Sequence, residues 1–483
     1  MLRSRWAADY IERRATSFLE DKLDARISIG SIELKLYPAV AVSGTNFSAV
    51  RHDSVTGLPL IAIDRFEISG SPLTLFRRRV SSIELDGVAM TVQRGGPKPV
   101  GNRPRGDVHI DTIVVRNGRL LILPKDPQKQ PLDFALHEVT MSGFGFDRSS
   151  EFTAQLTNPK PTALIMSHGH IGPWDTGELG STPVMGDYVL AKGDLGSIKG
   201  IGGALESTGK YEGVLERIRV EGTTSSKNFH LMLAENPVPL ETRFIATVDG
   251  TTGDTTLENV DATLGTSHLV ARGSIESTPG VKGRSIALQV TADDAKFEDL
   301  LRLSIRGRGE PPMRGRLTLN TSFLLPPSED EVPIRLQLGG RFAINQGHFT
   351  SDLVQDKVDE LSRRGRGEPT NQAVDNVFSN FAGTFTLNRG VLTLPNLRFV
   401  VNGARVDLAG NYRLPTETME FRGTLSLDAP VSKTVTGFKS FLLKAFDPLL
   451  RRNGAGTQLP IAVTGTVEQP SFRVEPGRIF RRN

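Results

Sequence analysis

The sequence contains no cysteine, which excludes disulfides, thiolate metal sites and cysteine nucleophiles. Aromatic side chains are also scarce, with two tryptophans and five tyrosines among 483 residues. A glycan-active enzyme that binds sugars on aromatic platforms is therefore disfavoured. No run of about 18 apolar residues occurs, so the sequence predicts no helix that crosses a bilayer. The N-terminus likewise lacks the apolar centre of a signal peptide.

The charge balance gives no indication of a nucleic-acid partner. The formal net charge is only +4, although the isoelectric point is about 9.2. Such an excess is too small to predict binding to a polyanion, and we expect no nucleic acid among the partners.

From Arg26 onwards, apolar residues alternate with polar ones, as in strands that bury one face. The alternation is clear in IELKL (32–36) and returns up to the C-terminal region. Units in which strands alternate with helices are missing, which argues against a doubly wound sheet or an α/β barrel. The sequence therefore predicts a mainly β protein, and a sandwich, a closed barrel and a long curved sheet remain open.

One pattern recurs four times: alternating residues, then Asp or Asn near Gly, then alternation again. The copies are IELDGVAMTV (83–92), IVVRNGRLLIL (113–123), FAINQGHF (342–349) and FTLNRGVLTL (385–394). Gly and Asn tolerate the positive φ of tight hairpin turns. We therefore interpret each copy as strand, turn and strand, in a meander of short antiparallel strands.

Three segments are predicted to be helical. Residues 4–24 form an amphipathic pattern, and residues 351–365 place Leu353, Val354, Val358 and Leu361 on one face. Residues 433–447 have the clearest apolar stripe, which includes Phe438, Phe441, Leu442 and Phe446 beside Lys439 and Lys444. We expect this last helix either to cap the sheet or to contact a membrane surface.

The sequence contains only weak matches to metal-binding motifs. Asp249-Gly-Thr-Thr-Gly-Asp254 offers too few oxygen ligands for calcium and is typical of a turn between strands. His168-Gly-His170 has the spacing of a metal-binding pair, but the remaining histidines supply no third ligand, so we interpret it as a polar pair in a loop. We expect no enzyme activity, no metal and no cofactor.

The order of several segments resembles the AsmA family of bacterial envelope proteins. The N-terminal match comprises RISIGSIELKLYPAVAVSGTNFSAV and PLIAIDRFEISGSPLTLFRRRVSSIELDGVAMTVQR. The C-terminal match comprises residues 336–369, 378–414 and 436–472, which resemble the AsmA-like C-terminal region. Single motifs are loose, because they consist mostly of Gly and apolar spacing. Their order over most of the chain is the more specific feature.

The resemblance implies a long, twisted antiparallel sheet curled into an open apolar trough, with an N-terminal amphipathic helix and short C-terminal helices. It implies four regions: helix 1–25, an N-terminal β region 26–160, a middle β region 161–300 and a C-terminal β region 301–483. It also implies a periplasmic protein that conducts phospholipid between the inner and outer membranes and contacts their surfaces. Family members normally begin with an inner-membrane helix. This sequence starts about where that helix would end, so we expect the anchor to lie in a segment missing from this chain.

Alternate apolar positions are the candidates for the lining of the trough. They are Ile27, Ile29, Leu34, Leu36, Val88, Met90, Val92, Phe385, Leu387, Leu392 and Leu394. A scaffold for outer-membrane protein assembly, with envelope assembly proteins as partners, shares this fold and is the alternative function. A secreted β-solenoid that acts on glycans is the lesser alternative. A continuous apolar face favours lipid, whereas interruption by buried charges favours the scaffold.

Overall fold

The computed structural model describes most of the chain. The described residues are 16, 20, 25–35, 40–51, 59–71, 79–93, 109–123, 132–174, 179–232, 234, 236–250, 252–278, 281, 283–303, 309–328, 330–370, 376–430, 433, 456–466 and 469–474. The predicted helices 4–24 and 433–447 therefore lie almost wholly outside the described residues.

The described chain is dominated by strands, numbered here in chain order. They are β1 Ala25–Ser28, β2 Ser31–Lys35, β3 Val40–Arg51, β4 Ile61–Gly70, β5 Arg79–Gln93, β6 His109–Leu123, β7 Leu132–Phe144, β8 Ser150–Pro159, β9 Thr162–Ile171, β10 Pro183–Asp194, β11 Ile201–Gly202, β12 Ala204–Val214, β13 Arg217–Leu231, β14 Val238–Val248, β15 Thr255–Leu264, β16 Ser267–Ser277, β17 Arg284–Lys296, β18 Met313–Leu325, β19 Gln337–Phe349, β20 Ser379–Asn388, β21 Val391–Val401, β22 Ala404–Arg413, β23 Thr418–Leu427, β24 Thr457–Thr466 and β25 Pro470–Val474.

Helices are few among the described residues. They are α1 Phe297–Arg302, α2 Val332–Arg335, α3 Asp352–Arg366 and the 3-10 turns Leu179–Ser181 and Leu195–Ser197. The predicted helix 351–365 corresponds to α3, which ends where Gly367 adopts a left-handed φ of 78°. Val358 and Leu361 pack on the sheet as expected, but Leu353 and Val354 are exposed.

All these strands belong to one long sheet that is not closed into a barrel, which confirms the predicted fold class. Each strand pairs with its neighbours in sequence, with two exceptions. β1 and β2 both pair with β3, and β10 pairs with β12 while the short β11 pairs with β13. Pairing is antiparallel with one exception, because β5 and β6 run parallel. Alternation did not reveal this exception, since a strand shows the same period whichever way its neighbour runs.

The hairpin interpretation is wrong for three of the four repeated motifs. Only Asn388 to Val391 joins two strands, with Arg389 and Gly390 at positive φ. The other copies lie inside β5, β6 and β19, where Gly87, Asn117 and Gln346 take positive φ within a continuous strand. Gln346 lies at a β-bulge, because the register of β19 with both neighbouring strands shifts there. At Gly87 and Asn117 the neighbouring strands have a matching extra residue, so the register is kept. In all three strands the alternation shifts by one residue and apolar side chains stay on the same face.

The irregularities line up across the first part of the sheet. We call this alignment the bulge row, and its members are Asn46, Asp64, Gly87, Asn117 and His137 on β3 to β7. The Asn117 side chain donates a hydrogen bond of 2.7 Å to Asp86, which ties β6 to β5 at this row. Bulges bend strands and increase their twist, so an aligned row favours curvature of the sheet.

The Asp249–Asp254 segment is a turn between β14 and β15, as predicted. Asp249 Oδ1 accepts a hydrogen bond from the Thr252 amide at 3.1 Å. Asp254 Oδ1 accepts from both the amide and the hydroxyl of Ser277 at 2.9 Å, and Arg284 lies beside it. Both carboxylates are therefore engaged in holding the turn.

Candidate functional site: the apolar face of the sheet

Cross-strand pairing places apolar residues on one side of the sheet from its first strand to its last. One row joins Ile27, Ala49, Ile61, Met90 and Leu120 across β1, β3, β4, β5 and β6. Far along the chain, a comparable row joins Leu338, Leu387, Leu392, Tyr412 and Met419 across β19 to β23. We call this side the apolar face.

Charged residues belong to the other side, here called the charged face. Among the strand residues whose side chains the structure describes, Asp, Glu, Lys and Arg reach the register of the apolar face only towards strand ends, at Arg79, Asp111 and Arg284. On the charged face, ion pairs link neighbouring strands, such as Arg116 with Glu84 at 3.2 Å and Arg119 with Asp133 at 2.6 Å. The hydrogen bonds from Arg119 lower the pKa of the Asp133 carboxyl below its usual value.

The apolar face has no second sheet packed against it in the described part of the chain. Among all described residues, the largest side chains that are less than 2% exposed are one valine, two threonines and four serines: Val238, Thr182, Thr457, Ser150, Ser267, Ser362 and Ser379. A close-packed sandwich buries its leucines and phenylalanines fully. Here most of them stay partly accessible, which excludes a sandwich and leaves an open sheet.

The predicted lining residues that the structure describes lie on this face. Ile27, Val88, Leu387 and Leu394 are buried, whereas Leu34, Phe385 and Leu392 are half-buried and Met90 is 39% exposed. Ile29 lies between β1 and β2 and packs against two apolar clusters of the face. Leu36 lies outside the described residues, as does the side chain of Val92. Phe438, Lys439, Phe441, Leu442, Lys444 and Phe446 are also outside them.

Helix α3 covers the apolar face at one strand end. Val358 packs against Val401, Ala404 and Leu427. Beneath the helix, the buried Asp359 accepts hydrogen bonds from the amides of Asn376 and Val377 at 2.8 and 2.9 Å. The helix is therefore fixed to the sheet by apolar packing and by satisfied polar groups together.

A group of hydroxyls crosses the middle of the apolar face, and sequence reasoning missed it. This hydroxyl belt comprises Ser167, Tyr188, Ser207, Tyr211, Thr224 and Thr242 on β9, β10, β12, β13 and β14. Tyr211 and Ser167 are hydrogen-bonded at 2.7 Å, and Tyr188 and Ser207 at 3.1 Å. Burial raises the pKa of both tyrosines, so their hydroxyls stay protonated at neutral pH.

Glycines form the floor beneath the two tyrosine rings. A Cβ added at Gly209 would come within 2.7 Å of the Tyr188 ring, and one at Gly186 within 2.7 Å of the Tyr211 hydroxyl. The segment ALESTGKYEG (204–213) carries this arrangement as Leu205, Ser207, Gly209 and Tyr211 at alternate positions. That alternation is the signal by which the belt could have been found.

Comparisons of the chain with protein-family models, with curated proteins and with solved structures find no match.

Other candidate sites are poorly built. His168 and His170 lie on β9 rather than in a loop, and both are exposed on the charged face, where His168 is 3.6 Å from Asp187. Within the described ranges, no three His, Asp or Glu side chains cluster closely enough to hold a metal ion. None of the helices described here has both the length and the apolar character needed to cross a bilayer. The apolar face is therefore the best-formed candidate site.

Proposed function

We propose that this chain binds phospholipid and conducts it along the apolar face. The observation that carries the proposal is the apolar face, which no second sheet covers and whose central strand positions hold no charged side chain in the described part of the chain. The AsmA-like order of sequence segments supports the same function. On this proposal the sheet is curled into a trough, and the protein acts in the periplasm between inner-membrane and outer-membrane surfaces.

The energetics explain why such a protein needs no catalytic residue. A two-chain lipid exposes roughly 30 methylenes, and transferring them to water costs about 24 kcal/mol at about 0.8 kcal/mol each. Contact with the Ile, Val, Leu and Phe side chains of the apolar face replaces the lost hydrocarbon environment. The lipid headgroup stays at the open side, in water.

The test is native mass spectrometry on protein purified from a bacterial envelope fraction without detergent exchange. We expect at least one phospholipid per chain. Met90→Asp and Leu392→Asp each place a charge on the apolar face and should reduce the bound lipid several-fold. The matched controls, Thr91→Asp and Thr393→Asp, lie one residue away on the opposite side of the same strands.

A folded wild-type chain that carries no lipid would overturn the proposal in favour of the assembly scaffold. Equal lipid loss in the apolar-face variants and their controls would show that the lipid binds elsewhere.

A further inference from the structure

The two exposed histidines of β9 lie beside an exposed methionine of β10 on the charged face. His168 and His170 are alternate residues of β9, so both rings are on the same side of the sheet. Met185 is paired directly opposite His170. It is 55% exposed, more than any other large apolar side chain of the described strands. We call these three residues the His-Met cluster.

The antiparallel register of β9 and β10 brings the cluster within reach of one centre. Alternate residues of a strand, such as His168 and His170, lie about 6.6 Å apart. The Cβ atoms of directly opposite residues, such as His170 and Met185, are about 4.5–5.5 Å apart, and those of diagonal residues, such as His168 and Met185, about 7–8 Å. An added Cβ at Gly169 would collide with the Met185 carbonyl oxygen, so the two backbones approach closely between the histidines. The three long side chains can therefore converge on a point above the sheet.

The donor types of the cluster select a soft metal ion. Imidazole nitrogens bind zinc and copper, whereas a thioether sulfur favours Cu(I). Zinc sites take their ligands from Cys, His, Asp and Glu, so Met185 adds nothing to a zinc site. Ligating histidines commonly donate their second ring N–H to a carboxylate, and Asp187 Oδ2 lies 3.6 Å from His168 Nε2.

Met166 offers a matched comparison on the same strand. Its side chain is also on the charged face and is 43% exposed, and it is paired with Val189. Four residues separate it from His170, which is about 13 Å along the strand. Met166 therefore cannot complete a site that contains both histidines.

From this placement we propose that His168, His170 and Met185 form a three-ligand site for Cu(I). Each histidine contributes one ring nitrogen, and Met185 contributes its Sδ atom. The remaining histidines of the sequence supply no third ligand, but the neighbouring strand supplies a methionine. The site lies on the opposite side of the sheet from the apolar face, so the inference is independent of the proposed lipid function.

The test measures Cu(I) binding by the full chain. Cu(I) is kept reduced with ascorbate under nitrogen and is titrated in competition with the chelator bicinchoninate. We expect one Cu(I) per chain. His170→Ala and Met185→Leu should each raise the Kd at least ten-fold, whereas Met166→Leu should leave it within two-fold. X-ray absorption at the copper edge should show a Cu–S bond that Met185→Leu removes and Met166→Leu keeps.

Zinc separates the role of the thioether from that of the histidines. In a Zn²⁺ titration, His170→Ala should weaken binding, whereas Met185→Leu should leave it unchanged. The proposal would be overturned by a parent chain that binds no Cu(I), by equal Cu(I) affinities of the Met185→Leu and Met166→Leu variants, or by a Cu–S bond that survives Met185→Leu. Equal losses of Zn²⁺ and Cu(I) affinity in Met185→Leu would also overturn it. All three substitutions change exposed side chains, and circular dichroism verifies that the variants fold.

Discussion

Single residues with positive φ keep the apolar face continuous. In β5, the apolar side chains Ile83 and Leu85 precede Gly87, whereas Val88 and Met90 follow it with the opposite parity. The irregularity at Gly87, matched by Asp64 on β4, absorbs the extra residue, so all four side chains pair with apolar partners on one face. The change of parity is visible in the sequence, but a turn and a bulge use the same residues, Asn and Gly, for the same reason. Local patterns therefore located these residues without deciding between the two.

Gly87 offers a sharp test of the bulge. Its φ is 68°, and an added Cβ would collide with the Asp64 carboxyl group, whereas Gly143 has a φ of 66° and open space around it. Gly143→Ala should lower the free energy of unfolding only by the cost of holding alanine at a positive φ, about 1 kcal/mol. Gly87→Ala must in addition displace Asp64, so its destabilisation should exceed that of the control by at least about 1 kcal/mol. Urea unfolding followed by circular dichroism measures both, and equal midpoints would contradict a crowded bulge.

At the scale of elements, α3 shows how much a helix placement depends on polar contacts. Its helical period is evident in the sequence, and the helix was predicted within one residue at each end. The docking was harder to predict, because Gln355, Asp359 and Ser362 are buried against the sheet although their residue types favour solvent. Only the tertiary structure supplies their partners. Gln355 accepts from the Phe349 amide and donates to the Val377 carbonyl, Asp359 accepts from the Asn376 and Val377 amides, and Ser362 donates to the Asn402 carbonyl.

Asp359→Ala should loosen α3 selectively. The substitution removes the acceptor of the Asn376 and Val377 amides and of the buried Gln355 side-chain amide. Leaving a buried donor without an acceptor costs about 1–3 kcal/mol. Amide hydrogen exchange across 352–366 should rise by at least ten-fold. Asp356→Ala on the exposed side of the same helix is the control and should leave that exchange unchanged. If both variants exchange alike, the buried carboxylate does not hold the helix.

On the scale of the whole molecule, the sheet behaves as a one-dimensional array. The large contact surfaces between strands all join hydrogen-bonded neighbours. Sequence alternation predicted the mainly β fold because it is a local property of each strand. The parallel pair and the hydroxyl belt depend on which strands lie side by side, and that information is not local.

Hydrogen exchange should reveal this array. Arrays with contacts only between neighbours open progressively from their ends. We expect amides of the five-residue β25 to exchange at least a hundred-fold faster than those of β13, which is paired along both edges. Uniform protection throughout the sheet would instead indicate a single cooperative unit.

The parallel pairing of β5 and β6 should make this pair of strands more resistant to mechanical force than the antiparallel pairs of the sheet. When the two chain ends are pulled apart, antiparallel neighbours joined by a hairpin are loaded at one end and separate like a zip, one hydrogen bond at a time. In a parallel pair the force enters at Arg79 and leaves at Leu123, which lie at opposite ends of the two strands. The hydrogen bonds between β5 and β6 then carry the load in shear and must break together. Under tension, this seam is the place where the otherwise compliant sheet should resist.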